Sequence, residues 1–320
     1  MNIYLLYYNS IPTIYIIETV FYALIAIMIT ERSIMIWQIN DPYKKQFFHY
    51  IPILIPPICF FLYETINPER MNIPYRGRAL FDINSILFYE VFDLHPFFYL
   101  FLLIIFISTL IFIFQEVLPL IIYKFKKNDD NLDTLSIPSK HESTIQEILK
   151  DLKSDSISVE IIDSDQILLI FSLTGKMNKI ILSKCVIDIL NKNELKAVVA
   201  HEIAHIRRNK KYILIFIYIF RILQFYCPVA LLQFRRIINL EEIICDKIAS
   251  DITQNPQALA RALYKLFIKN ENVNRDDIER NKILYRIKLL RFNNKQKIKY
   301  FYAKLFLTLI SIVIINYYII

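Results

Sequence analysis

The sequence predicts a mainly α polytopic membrane protein with an inserted α+β domain. Three observations carry that reading. The chain of 320 residues is 55% hydrophobic and only 21% charged. Its apolar residues concentrate in four windows close to the 17–25 residues that a membrane-spanning helix needs. Between the third and fourth windows lies a polar stretch with strand-like runs and a two-histidine motif, so an aqueous domain sits between the spans.

The first 30 residues form one apolar helix, interrupted by Glu18. They lack the basic start and small-residue cleavage site of a signal peptide, so the helix is expected to be retained. Glu18 is expected to face other helices or an interface, because a carboxylate facing lipid is costly. The second window, "QFFHYIPILIPPICFFLY" (46–63), contains Pro52, Pro56 and Pro57, each of which removes a helix N–H. A mixed polar loop follows over 65–96. The third window, 97–115, holds no charged residue. Residues 1–123 therefore form a transmembrane region of three helices. The composition turns polar at 124, and 124–303 forms the aqueous domain. Residues 304–320 form a last transmembrane helix, with Lys304 able to snorkel at its edge.

Within the aqueous domain, "SVEIID" (158–163) and "QILLIFSLTG" (166–175) read as strands, and "KIILSKCVIDIL" (179–190) as a strand entering a helix. Asn191 and Glu194 have the spacing of a capping box and start a new helix. Residues 256–292 read as amphipathic helices. The net charge is +8, and 282–304 alone carries eight Lys or Arg and no acid. Beside a membrane helix that run reads as a flank attracted to anionic lipid, and no nucleic-acid partner is expected. The four cysteines are scattered, without a CxxC pair, and nothing in their spacing points to a cysteine-type zinc site or a disulfide framework.

The chemistry centres on "VVAHEIAHIR" (198–207), in a chain with only five histidines. His201 and His205, four apart on a helix, present two imidazoles to one ion. Glu202, beside the first, can accept the proton of an attacking water that a metal activates. A catalytic zinc site needs a third protein ligand and one open position. Glu242 in "EEIICD" is the candidate, with Asp246 one turn on to receive the outer N–H of a ligand histidine. Glu241 is the fallback ligand, although its i+4 neighbour Cys245, read as a small buried residue, orients a histidine poorly. His49, His95 and His141 are weaker rivals.

The stretch "ILLIFSLTGKMNKIILSKCVIDILNKNELKAVVAHEIAHIRR" resembles the core of membrane-embedded gluzincin zinc metallopeptidases. The downstream "CPVALLQFRRIINLEEIICD" and "ILYRIKLLRF" resemble the BlaR/MecR-type, antirepressor-cleaving branch; the HtpX and CAAX prenyl endopeptidase branch is the runner-up. The likeness covers about 157–292 and is strongest over 190–250. The first 123 residues match only in hydrophobicity. It implies an inserted mini-gluzincin (zincin) catalytic domain holding one zinc per chain. His201, His205 and Glu242 would be the ligands, Glu202 the general base and Asp246 the partner behind the ligands. The strand over Phe171, Ser172, Leu173, Thr174 and Gly175 would be the edge on which a substrate peptide lies extended. The BlaR/MecR-type sensors continue into a penicillin-binding domain. Here the longest extracytoplasmic stretch is 65–96, so β-lactam sensing is not expected and a separate sensor or regulator protein would bring any signal.

The implied protein is an integral, multi-pass zinc endopeptidase of a bacterial cytoplasmic membrane. It would cut a protein or peptide substrate, a regulator or a membrane protein, at the cytoplasmic side of the lipid bilayer. The alternative is a catalytically silent signalling scaffold or pseudoprotease of the same fold. Basic residues Lys44, Lys45, Lys124, Lys126, Lys127 and the run 282–304 set the cytoplasmic side. One zinc needs His205 and Glu242 on the same side, so the apolar stretch between them must return. A membrane-dipping helical hairpin over 206–241 is expected, turning near Pro228, with Arg221, Arg235 and Arg236 facing headgroups or the aqueous domain.

Overall fold

The computed structural model describes residues 11–71, 83–87, 89–119, 139–154, 156–162, 170–173, 178–269, 277–291 and 299–318. In chain order its elements begin with α1 (Ile11–Ile36), α2 (Pro42–Ile66), α3 (Ile83–Leu87) and α4 (Pro96–Phe112), the last continued by a π-helical turn over Ile113–Val117. Then come α5 (Ser139–Asp151), β1 (Ser158–Ile162), β2 (Ile170–Leu173), β3 (Lys179–Ser183), α6 (Lys184–Ile189) and α7 (Lys192–Arg208). The chain ends with α8 (Lys211–Ile222), α9 (Pro228–Thr253), α10 (Pro256–Phe267), α11 (Asp277–Arg291) and α12 (Phe301–Tyr317). It is a mainly α architecture with one small sheet, and three of the described helices, Ile11–Ile36, Pro42–Ile66 and Pro96–Val117, are long and apolar enough to span a membrane. A fourth apolar helix, α12, is shorter at 17 residues.

Two compact units result. One comprises Met1–Asp130, Ile213–Ile238 and Gln296–Ile320. The other comprises Asn131–Tyr212 and Asn239–Lys295.

In the first unit, small residues let helices approach: Ala23 and Ala26 of α1 are fully buried, among Cys59, Phe60 and Tyr63 of α2 and Ile312 of α12. Two polar groups inside the bundle find partners, one on its own helix and one in the turn between α8 and α9. Glu18 is buried and accepts the Tyr22 hydroxyl at 2.6 Å, while Thr19 and Tyr226 share a hydrogen bond of 2.6 Å. The helix α2 runs through all three of its prolines. Pro57 has no N–H to give the Ile53 carbonyl four residues back, and Gln224 Nε2 donates to that oxygen at 2.7 Å instead.

The helices α8 and α9 lie against each other through Tyr218 and Phe234, whose ring centroids are 5.5 Å apart, and through buried Ile217 and Ile237. Arg221, expected to face headgroups or the aqueous domain, is instead buried within the first unit. Among the described residues it is the largest fully buried side chain, its guanidinium paired with Glu116 in the π-helical turn and 4.9 Å from the Phe112 ring centroid. Tyr218 donates to the same carboxylate at 2.9 Å. An ion pair is the form in which a guanidinium survives away from water. Arg235 bonds Gln115, and Arg236 pairs with Glu31.

In the second unit the strand order is β1-β3-β2. The sheet is mixed: β3 pairs antiparallel with β2, as a hairpin would, but also parallel with β1. That leaves β2 on an edge. Ile180 and Leu182 of β3 are fully buried with Leu195, Val199 and Ile203 of α7 and Leu259, Leu263 and Leu266 of α10. Each such side chain contributes about 1.5–3 kcal/mol by leaving water.

The start of α7 is fixed by both halves of its capping box. The Glu194 N–H donates to Asn191 Oδ1 at 3.0 Å, and the Asn191 N–H donates to Glu194 Oε2 at 3.1 Å. Glu194 is buried and also takes Lys265 Nζ at 2.7 Å. Burial pushes its carboxyl up, but Lys265 and the Asn191 N–H outweigh that and hold it below the usual range. We expect Glu194→Ala to cost about 1–3 kcal/mol by removing a cap and a charge-assisted bond. Thermal unfolding of detergent-solubilised protein reads this as a midpoint lowered by a few degrees; an unchanged midpoint would show that the cap carries no weight.

Candidate metal centre

On α7 the i, i+4 spacing puts His201 and His205 on one face, with ring centroids 4.8 Å apart and Nε2 atoms 3.1 Å apart. Helix α9 delivers Glu242 to the same point. Its Oε2 is 3.5 Å from His201 Nε2, and its Oε1 is 3.5 Å from His205 Nε2. Donor atoms about 2.0–2.2 Å from one tetrahedral zinc lie about 3.3–3.6 Å from each other. The two imidazole nitrogens and the Glu242 carboxylate, with one oxygen toward each, therefore stand near the spacing of donors around one zinc. A cation between them resolves what is otherwise a close approach of two imidazoles.

Behind the candidate donor atoms, Asp246 Oδ1 is 2.9 Å from His201 Nδ1. It holds the outer nitrogen and turns Nε2 toward the centre. The charges follow this geometry. Burial lowers the His201 pKa, but the Asp246 and Glu242 carboxylates outweigh it and raise it to about 10. Burial alone would raise Glu242 and Asp246; instead His201 and Arg286 bring each down to about 2. His205 is lowered by burial and by its charged neighbour His201. The centre thus holds two carboxylates and concentrates positive charge between them, which suits a divalent cation.

A second cluster of possible donors shares His205 and adds Glu241 and Cys245. It fits a metal less well. Both Glu241 oxygens are taken by Arg208, at 2.5 and 2.8 Å. Burial pushes the Cys245 thiol up, away from the thiolate that a metal needs. Cys245 Sγ lies 3.4 Å from His205 Nδ1 and so stands behind that histidine, much as Asp246 stands behind His201.

Glu202 is buried on α7 beside His201. Phe171, Ser172 and Leu173 lie on β2, the edge strand, which packs against α7. Thr174 and Gly175 lie outside the described residues, and His141 falls on α5. His49 bonds Gln233 at 2.8 Å, and His95 precedes α4.

Two arginines at the centre escape sequence reading. Arg208 follows the motif and looks like an ordinary basic helix end. Arg286 lies in the run read as a lipid flank, yet its guanidinium bonds Asp246 twice at 2.7 Å and approaches Glu242 Oε2 at 3.1 Å. A signal for Arg286 does exist: Ile283, Ile287 and Leu290 form the buried stripe of α11, and position 286 falls within that stripe.

The comparison with curated proteins finds no match. The model of one family does match, described as BlaR1 peptidase M56, over residues 88–288. The match spans the sheet, the motif helix, α9 and most of α11. It also reaches back through α4, where resemblance by eye rested on hydrophobicity alone. It favours the first of the two gluzincin branches and leaves the HtpX and CAAX branch without support. A membrane protein carrying this donor cluster, matched over well over half its length, belongs to the BlaR1 peptidase M56 family.

Proposed function

We propose that this peptidase is a zinc-dependent endopeptidase that cuts a protein substrate at the cytoplasmic face of a bacterial membrane. The observation that carries the reading is the donor spacing, 3.1 to 3.5 Å among His201, His205 and Glu242, with Asp246 fixed behind His201. Zinc, when bound, supplies a Lewis acid for the scissile carbonyl and acidifies water.

The residues of the chain do the rest. Glu202 accepts the proton of the attacking water and returns it to the leaving nitrogen. Asp246 keeps the His201 ring in register. The edge strand β2, at Phe171, Ser172 and Leu173, offers backbone groups to an extended peptide, and exposed Phe171 and Leu173 give its side chains an apolar surface. A substrate trap tests the substrate class: the full-length Glu202→Gln protein, expressed in cells, should retain an intact protein that the wild type releases cleaved. Recovery of the same partners, uncleaved, with both proteins would point to a silent scaffold instead.

The domain limits 1–123, 124–303 and 304–320, with a membrane-dipping hairpin over 206–241, complete the proposal. Cysteine labelling in a background lacking the native cysteines tests the topology. Single sites at 209 and 239 should react from the cytoplasmic side. Labelling from opposite sides would break both the hairpin and the assignment of Glu242.

A further inference from the structure

Arg286 reaches the centre from α11, about 40 positions beyond the acids it meets. Its side chain is only 15% exposed. Nε bonds Asp246 Oδ2 at 2.7 Å, Nη2 bonds Asp246 Oδ1 at 2.7 Å, and Nη1 lies 3.1 Å from Glu242 Oε2. One planar group thus spans two carboxylates that stand one turn apart on α9 and would otherwise repel. The fork is rigid, and a point-like ammonium cannot reproduce it.

The two oxygens of Glu242 are consequently unequal. Oε2 takes the guanidinium and also lies 3.5 Å from His201 Nε2. Oε1 faces His205 Nε2 at 3.5 Å. A carboxylate with both oxygens free can chelate a cation through both, and so fill the position that a catalytic metal must keep open. Resting on the metal-centre reading above, we propose that Arg286 is a positioning residue that makes Glu242 a one-oxygen ligand. It competes for Oε2, and by gripping Asp246 it also steadies the contact behind His201. A merely structural arginine, pinning α11 to α9, would affect stability but neither metal affinity nor coordination number.

Cobalt(II) as the probe, added to the full chain in detergent, separates these roles, because four-coordinate cobalt absorbs visible light much more strongly than five-coordinate cobalt. Wild type should give the strong, four-coordinate spectrum. Arg286→Gln should weaken metal binding by roughly 10–100-fold, the usual cost of losing a partner behind a ligand, and shift the spectrum toward the weak, five-coordinate form. Arg286→Lys keeps the charge without the fork. It should recover part of the affinity but not the spectrum, and it decides the matter if Arg286→Gln does not fold. Wild-type affinity and spectrum in the folded variants would overturn the proposal. His201→Ala keeps the two readings apart. Cobalt that survives that change overturns the metal centre and this proposal with it. Cobalt lost there but unaffected by the Arg286 variants overturns only the role given to Arg286.

Discussion

The Glu202→Gln protein is expected to keep its metal and to lose proteolysis by about 10²–10⁴-fold, the contribution typical of a positioned proton acceptor. The substitution is nearly isosteric, so α7 should not be disturbed: position 202 lies midway along a helix whose start is fixed by the Asn191–Glu194 box and whose apolar face is buried in the domain core. An amide cannot take the proton of an attacking water at neutral pH, whereas the donors His201, His205 and Glu242 are untouched. Metal analysis and cleavage of a substrate recovered by trapping read the two halves separately. Retained proteolysis would remove Glu202 from the chemistry. Loss of metal together with activity would mean that Glu202 acts on the structure of the centre.

The second large effect is on the metal itself. His201→Ala removes one of three donors and also breaks the contact with Asp246, which is buried and shared with Arg286. Loss of a direct ligand should exceed the roughly 10–100-fold cost of losing a partner behind it. Purified protein dialysed against a weak chelator should fall from about one zinc per chain to a small fraction. Asp246→Ala should lie between wild type and His201→Ala. Unchanged metal in His201→Ala would sink the centre. So would loss of metal in Glu241→Ala but not in Glu242→Ala, which would move the site to the His205, Glu241 and Cys245 cluster.

Much of this was legible because it is local. Helix geometry places His201 beside His205 and Glu242 below Asp246 without knowledge of the fold. Side-chain and backbone bonds three residues apart set the start of α7, and long uncharged windows mark the spans. What was not legible depends on contacts distant in sequence. The parallel pairing of β1 with β3 has no local signature. Arg286 looks like one more cation of a basic run, and only its place in the buried stripe of α11 marks it. Arg221 looks like an interruption in an apolar segment. Its partner Glu116 lies 105 residues earlier, in a turn whose π-helical form the sequence does not announce.

That last pair sets a clock on biosynthesis. Glu116 ends the third apolar helix, so it leaves the ribosome about a hundred residues before the guanidinium that pairs with it. At about 5–20 residues per second, the carboxylate waits on the order of 5–20 s for Arg221. In that interval the strands and the motif helix emerge and α4 stays unlatched. The first moment at which α4 and α8 can lock together therefore falls after the whole of α7 has been made, and before the chain has delivered Glu242.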